Sequence, residues 1–174
     1  DRAMRFVDSC HALARPFFLQ ISHYAVHTNI ETTPASLGKV GRTEPGRRHR
    51  HQGMAGMTMD LDASLGLLLA KVHELGLDDN TYVIYMSDNG GVPNIPGAKH
   101  YEKSLNEPLS RGKWDAMEGG LRVPFVVSGP GVPANVATSA RVWGADLLPT
   151  VAELAGGWSE APDSLDGGSF AHVL

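Results

Sequence analysis

A chain of 174 residues is long enough for about one domain with its own core. Its 42% apolar and 20% charged residues describe a soluble globular chain, and its net charge of −4 argues against a general nucleic-acid binder. No apolar run approaches the roughly 20 residues of a membrane span, and the single cysteine, Cys10, excludes an internal disulfide while leaving the compartment undetermined. The chain begins at Asp1 with no visible leader, which says nothing about export.

In chain order, Arg2 to Ala14 has the spacing of a short helix, with Met4, Phe6, Val7, Cys10, Leu13 and Ala14 apolar and Pro16 beyond its end. Phe17 to Ile21 reads as a buried strand and runs into the polar Ser22, His23 and Tyr24, then His27. Thr28 to Gly53 is a long irregular stretch holding Pro34, Gly38, Gly41, Pro45 and Gly46; so long a loop in a compact domain is functional or disordered. The clearest helix follows, with Leu61, Leu65, Leu68, Leu69, Val72 and Leu75 on one face. Thr58 is its expected N-cap, Asp60 and Asp62 sit in the expected first turn, Gly76 fits C′ and Leu77 the apolar residue after it. Asp78-Asp79-Asn80 is a turn into a strand over Thr81 to Met86. The order of strand, loop, helix and strand is βαβ-like. Gly90 to Glu118 is a second long loop, and Leu121 to Ser128 a third strand, which Pro124 places at an edge or a bulge. Gly129-Pro130-Gly131 is a turn, Ala140 to Trp143 a short strand, and Ala145 to Leu154 a helix with Pro149 in its first turns; Gly156 to Gly168 is loop.

The strand Thr81–Met86 turns abruptly into Ser87-Asp88-Asn89-Gly90-Gly91. Asn-Gly tolerates positive φ and suits a hairpin turn, in which Asp88 is decoration. A hairpin needs a second strand at once, but Val92 to Gly97 carries Pro93 and Pro96 and does not alternate. The other reading is a site at the carboxyl end of a strand, where ligands gather in open α/β sheets. Asp88 and Asn89 offer oxygens to a hard cation such as calcium or magnesium. Two apolar strands each lead into a long loop that starts with groups able to hold a metal or an anion.

Four blocks, PFFLQISHYAVHT, YVIYMSDNGG, GKWDAMEGGLRVPFVVSGPGV and DLLPTVAELAG, stand in that order. They resemble the type I sulfatases, the formylglycine-dependent, calcium-binding members of the alkaline phosphatase superfamily. The resemblance runs from Arg2 to Leu174 and implies an α/β fold with a mixed, mainly parallel sheet flanked by helices. It implies a sulfuric ester hydrolase, in which hydrated formylglycine attacks sulfur, the alcohol leaves, and sulfate is expelled as the aldehyde reforms. Asp88 and Asn89 match the family's second pair of calcium ligands. His27 matches the histidine that meets the leaving oxygen, and Lys113 the sulfate-binding lysine, so that both serve catalysis and substrate binding. The four residues are expected to converge on one pocket at the carboxyl ends of the strands.

The sequence departs from the family pattern in places. Asn29 stands where relatives often have proline, and Arg111 lies two before Lys113 where an arginine often lies three before; no role is assigned to it. The family's N-terminal aspartate pair and its Cys-x-Pro-Ser-Arg or Ser-x-Pro-Ser-Arg nucleophile motif do not occur, and Cys10 reads as a helix-face residue. Residues 1–174 are therefore expected to be a partial catalytic domain, without the N-terminal part and a small C-terminal subdomain, and inactive alone. The expected substrate is a sulfated small molecule or glycan, with no nucleic acid and no membrane span; relatives are often exported, and the oligomeric state is open. The alternatives are a phosphodiester or phosphonate ester hydrolase of the same superfamily, and a non-catalytic anion- or glycan-binding remnant. The basic run Arg47 to His51 is either a solvated loop or a contact for a polyanionic glycan. Glu118 and Arg122 are expected to pair and orient Lys113; Trp114 either lines a sugar subsite or packs.

Overall fold

The computed structural model describes residues 2–47, 49–93, 106–157, 162 and 164–174. Arg48 of the basic run, 94–105 of the second long loop, and 158–161 and 163 of the tail lie outside the described residues. The chain divides into two units, residues 1–81 with 86–125, and residues 82–85 with 126–174. The fold class is α/β, helices with a small sheet.

In the first unit α1 (Arg2–Ala12) buries Val7 and leans on a later long helix through Asp8 and Lys71 at 3.4 Å. Cys10 is half-buried on this helix, with a free thiol. Phe17 meets Phe6 edge-to-face, with ring centroids 6.2 Å apart. Phe17 to Ile21 forms no strand, and Phe18 is 69% exposed. An apolar run states a local preference, but a strand exists only with a ladder partner, and among the described residues this segment has none.

The stretch expected to be irregular contains α2 (Pro34–Val40). Its start was written in the sequence as an N-cap and a first-turn proline. Thr33 accepts a hydrogen bond from the Ser36 N–H, and Pro34 occupies the position where a missing N–H costs nothing. Helix α3 (Gln52–Glu74) begins earlier than expected, capped by His51 Nδ1 accepting from the Met54 N–H. Thr58 is therefore no cap; its hydroxyl donates back to the Met54 carbonyl. Asp60 and Asp62 are no first-turn acids either, because the helix starts at Gln52; the Asp60 carboxylate is taken up by Thr33 and Ser36 at the start of α2. The far end is as expected. Gly76 at φ 64° lets its own N–H reach the His73 carbonyl and the Leu77 N–H reach that of Val72, a Schellman closure. Met57 and Val72 are buried. A 3₁₀ turn (Asp78–Asn80) follows, and α4 (Glu118–Leu121) is a short helix where the third strand was expected to start.

The sheet pairs β1 (Val83–Met86) with β2 (Phe125–Ser128); Met86 and Phe125 belong to the first unit and the rest of both strands to the second. Only two strands pair among the described residues, and β1 is half-buried throughout. Proline delays β2 until after Pro124, in keeping with an edge position. Gly129, at φ 155°, lies against Tyr82, whose hydroxyl donates to the Pro130 carbonyl. Ala140 to Trp143 is not a strand; it leads into a 3₁₀ turn (Gly144–Asp146) and α5 (Leu147–Leu154). The Asp146 carboxylate accepts from the N–H groups of Trp143 and Gly168. Thr150 is fully buried; its hydroxyl donates to the Asp146 carbonyl and accepts from the N–H of buried Phe170.

Candidate active site

The end of β1 is tied down before it turns polar. The Ser87 N–H donates to the Pro124 carbonyl at 3.2 Å, and the Ser87 hydroxyl to the Asn89 carbonyl at 2.8 Å. The Asn89 Nδ2 donates to the Gly90 carbonyl, which leaves its Oδ1 available as an acceptor. Asp88 is exposed, and its carboxylate has no hydrogen-bond or ion-pair partner among the described residues. An ionised carboxylate and an amide oxygen on adjacent residues are a fitting part of a hard-cation ligand set. No group of three or more His, Cys, Asp or Glu able to hold a metal occurs among the described residues, so these two would be only part of a set.

The glycines after Asn89 are explained by space. Neither Gly90 nor Gly91 has a positive φ, so backbone freedom is not their purpose. The Gly90 N–H donates to the Gly120 carbonyl at 2.8 Å, and the Lys113 N–H to the Gly91 carbonyl at 3.0 Å. A Cβ on Gly90 would lie 1.7 Å from the Gly119 oxygen, one on Gly112 2.3 Å from the Gly91 oxygen, and one on Gly120 2.1 Å from the Asp115 oxygen. Two backbones interlock where neither tolerates a side chain. Asn106 reinforces the seam, its Nδ2 donating to the carbonyls of Gly91 and Arg111 at 2.9 Å each. Its role had no signal in the sequence, since an asparagine in a long loop is unremarkable until its neighbours in space are known.

This seam carries Lys113 onto the loop that carries Asp88 and Asn89. Lys113 is half-buried, and its Nζ stands 5.9 Å from the centre of the Trp114 ring. Trp114 is 79% exposed, which removes the packing alternative among the described residues. Arg111 and Trp114, on either side of Gly112-Lys113, sit at φ 61° and 74°. A left-handed conformation costs a non-glycine residue about 1–3 kcal/mol and persists only where the surroundings impose it. Arg111 pairs with Asp115 at 3.4 Å. Glu118 and Arg122 pair as expected, also at 3.4 Å, but both are exposed and no hydrogen bond or ion pair among the described residues joins either to Lys113, whose backbone N–H is held by the Gly91 carbonyl.

His27 stands apart. It sits in a tight turn, its N–H donating to the Tyr24 carbonyl and its ring 5.6 Å from that of Tyr24, whose hydroxyl donates to the Thr28 carbonyl. His27 Nδ1 lies 2.6 Å from the same Thr28 carbonyl. A carbonyl can only accept, so Nδ1 carries the proton and Nε2 is the nitrogen open to proton exchange. The ring is exposed, and among the described residues no hydrogen bond, ion pair or ring contact joins it to Asp88, Asn89 or Lys113. The chain thus brings three of the four expected residues onto interlocked loops and leaves the fourth on its own turn.

A family model described as Sulfatase matches residues 1–157. A protein described as "Sulfatase" from Formosa agariphila is 33% identical over 187 residues, covering 100% of this chain and 32% of that protein. N-acetylgalactosamine-6-sulfatase of Mus musculus is 31% identical over 161 residues, covering 90% of this chain and 28% of that protein. Among solved structures, Ps i-CgsB in complex with k-i-k-neocarrahexaose superposes with a TM-score of 0.82 at 34% identity, over 96% of this chain and 35% of that one. The chain spans about a third of the length of these relatives.

Proposed function

Since the chain belongs to the sulfatase family, with the alkaline phosphatase-like α/β fold of its relatives, we propose that it supplies part of the active site of a sulfuric ester hydrolase. The observation that carries this reading is the seam in which the Lys113 N–H is bonded to the Gly91 carbonyl, two residues beyond Asn89. It joins an anion-binding cation to a pair of hard-cation ligands on rigid backbone. The relatives described above are named as sulfatases, which favours a sulfate ester over the phosphodiester or phosphonate alternative.

In this reading Asp88 and Asn89 would hold part of a calcium site, and the ion, when bound, would supply Lewis-acid polarisation of the sulfate oxygens. Lys113 presents a point charge to the oxygens on which negative charge grows as the ester bond breaks. His27, as the imidazolium with Nδ1–H on the Thr28 carbonyl, gives the Nε2 proton to the departing oxygen and is left as the neutral Nδ1–H tautomer. No formylglycine motif occurs in the 174 residues, so the nucleophile comes from sequence outside them, and residues 1–174 form part of a larger catalytic domain. The exposed Trp114 face beside Lys113 suits a sugar ring, and the relative solved with k-i-k-neocarrahexaose points to a carbohydrate sulfate.

The test is turnover of 4-nitrophenyl sulfate and of a sulfated oligosaccharide by the full-length protein. Lys113→Ala should lower kcat by roughly 10²–10³-fold, the usual cost of losing one such stabilising group. Wild-type protein that leaves both sulfates intact but cleaves a phosphodiester would overturn the reading.

A further inference from the structure

We propose that Asp60 is a positioning residue for the His27 turn. The inference rests on the role given to His27 above. Asp60 lies on α3, and both of its carboxylate oxygens are fully used. Oδ2 accepts from the Thr32 hydroxyl at 2.8 Å and the Thr33 N–H at 2.9 Å; Oδ1 accepts from the Thr33 hydroxyl at 2.9 Å and the Ser36 hydroxyl at 2.6 Å. Four donors on one carboxylate match its acceptor capacity. They come from the end of the His27 segment and the first turn of α2, so one side chain fastens both to α3.

The helix is shaped to receive that segment. Gly53, Gly56 and Asp60 lie at i, i+3 and i+7, one face of α3. A Cβ on Gly56 would lie 2.4 Å from the Thr32 hydroxyl oxygen, and one on Gly53 2.8 Å from the Ile30 Cγ2. Residues 30–33 are therefore laid on the bare helix backbone and latched at Asp60. The His27 turn, by contrast, is bonded mainly to itself: His27 to Tyr24, Nδ1 to Thr28, and the Tyr24 hydroxyl to Thr28. Its recorded anchors are Phe17 on Phe6 at one side and Ile30 to Thr33 on α3 at the other. The second anchor is only five residues from the imidazole at Thr32. The direction in which Nε2 is presented is thus set from α3, across 33 positions of sequence between His27 and Asp60.

A histidine that protonates the leaving oxygen matters most where that oxygen is a poor leaving group, so the test compares two substrates in the full-length protein. Asp60→Ala should lower kcat on an alkyl or sugar sulfate by roughly 10- to 100-fold, the scale of an ångström-sized misplacement. On 4-nitrophenyl sulfate, whose phenolate needs little protonation, the loss should stay within about threefold. Asp60→Asn should recover most of the difference, because Oδ1 can keep Thr32 and the Thr33 N–H while Nδ2 donates to rotated hydroxyls. In a His27→Ala background, Asp60→Ala should add nothing. Equal losses on both substrates, or full additivity with His27→Ala, would overturn the proposal. If Asp60→Ala does not fold, Gly56→Ala, which pushes Thr32 off the helix, should give the same leaving-group dependence. Amide exchange of residues 24–33 is read in every variant: protection unchanged by Asp60→Ala overturns the proposal even if the parent proves not to be a sulfatase. Absence of wild-type turnover alone counts against the proposed function only.

Discussion

Asp88 and Lys113 differ in what holds them. The Asp88 carboxylate is exposed and bonded to nothing among the described residues, so its replacement costs the fold little. If Asp88 holds the metal as proposed, a loss of activity in Asp88→Ala is a loss of metal, and we expect a fall in kcat/KM of roughly 10²-fold or more in the full-length protein, the scale of a Lewis acid's contribution. Asp88→Asn keeps an oxygen and loses the charge, so excess calcium should restore part of its activity, while it should do nothing for Lys113→Ala. Titration of both variants with calcium, followed by turnover, separates the roles; equal rescue of the two would refute them. His27 is bonded chiefly within its own turn, and its contribution depends on segments that come from elsewhere in the unit.

At the scale of elements, glycine has opposite meanings in different places. Gly66 is in the middle of α3 with nothing within 4 Å of a Cβ, so Gly66→Ala should raise stability by about 0.5–1 kcal/mol through the unfolded chain's entropy. Gly90 has the Gly119 oxygen 1.7 Å from the same position, so Gly90→Ala must part the seam, at about 3 kcal/mol or more, and displace Lys113 with it. Thermal unfolding of the pair should move in opposite directions; similar shifts would contradict the close approach. The join of α2 to α3 is sensitive to acid. The Ser36 hydroxyl, then the Thr33 N–H and the Thr32 hydroxyl hold the Asp60 carboxyl well below its ordinary value of 3.8. Its folded pKa is depressed, so the stability it contributes is fully present above about pH 4 and is lost as pH falls towards the folded value. The difference in stability between wild type and Asp60→Asn should be constant near neutrality and shrink below about pH 4. A gap that widens in acid would mean that the carboxylate is not the bonded form.

At the scale of the molecule, the described residues bury few large apolar side chains, Val7, Met57, Val72 and Phe170, while Phe18, Leu67 and Leu121 are each more than half exposed. A chain spanning about a third of its relatives' length, with this much apolar surface outward, is expected to bind a hydrophobic dye when expressed alone. It is also expected to leave 4-nitrophenyl sulfate intact. General acid help of the kind proposed for His27 would contribute roughly 10²–10⁴-fold, and the formylglycine motif that would supply the covalent nucleophile does not occur in these residues. Turnover by the chain alone that disappears in Lys113→Ala would overturn this and require a nucleophile among the 174 residues.

The sequence by itself determined the family and the local chemistry: the four blocks in order, the Gly76 closure of α3, and the strand that leads into Asp88 and Asn89. These are legible because caps, β-branched runs and motif spacings act between residues near in sequence. It also carried the start of α2 in Thr33-Pro34, a local signal obscured by reading proline only as a breaker. What only the tertiary structure decided are contacts between distant segments. Phe17 to Ile21 lacks a ladder partner, Gly90 and Gly119 are small because two backbones meet there, and Asp60 is a latch for a loop 27 residues away rather than a helix-dipole acid. A residue's type fixes which bonds it can make, but which of them it makes depends on what the fold brings within 3 Å, and no local pattern encodes that.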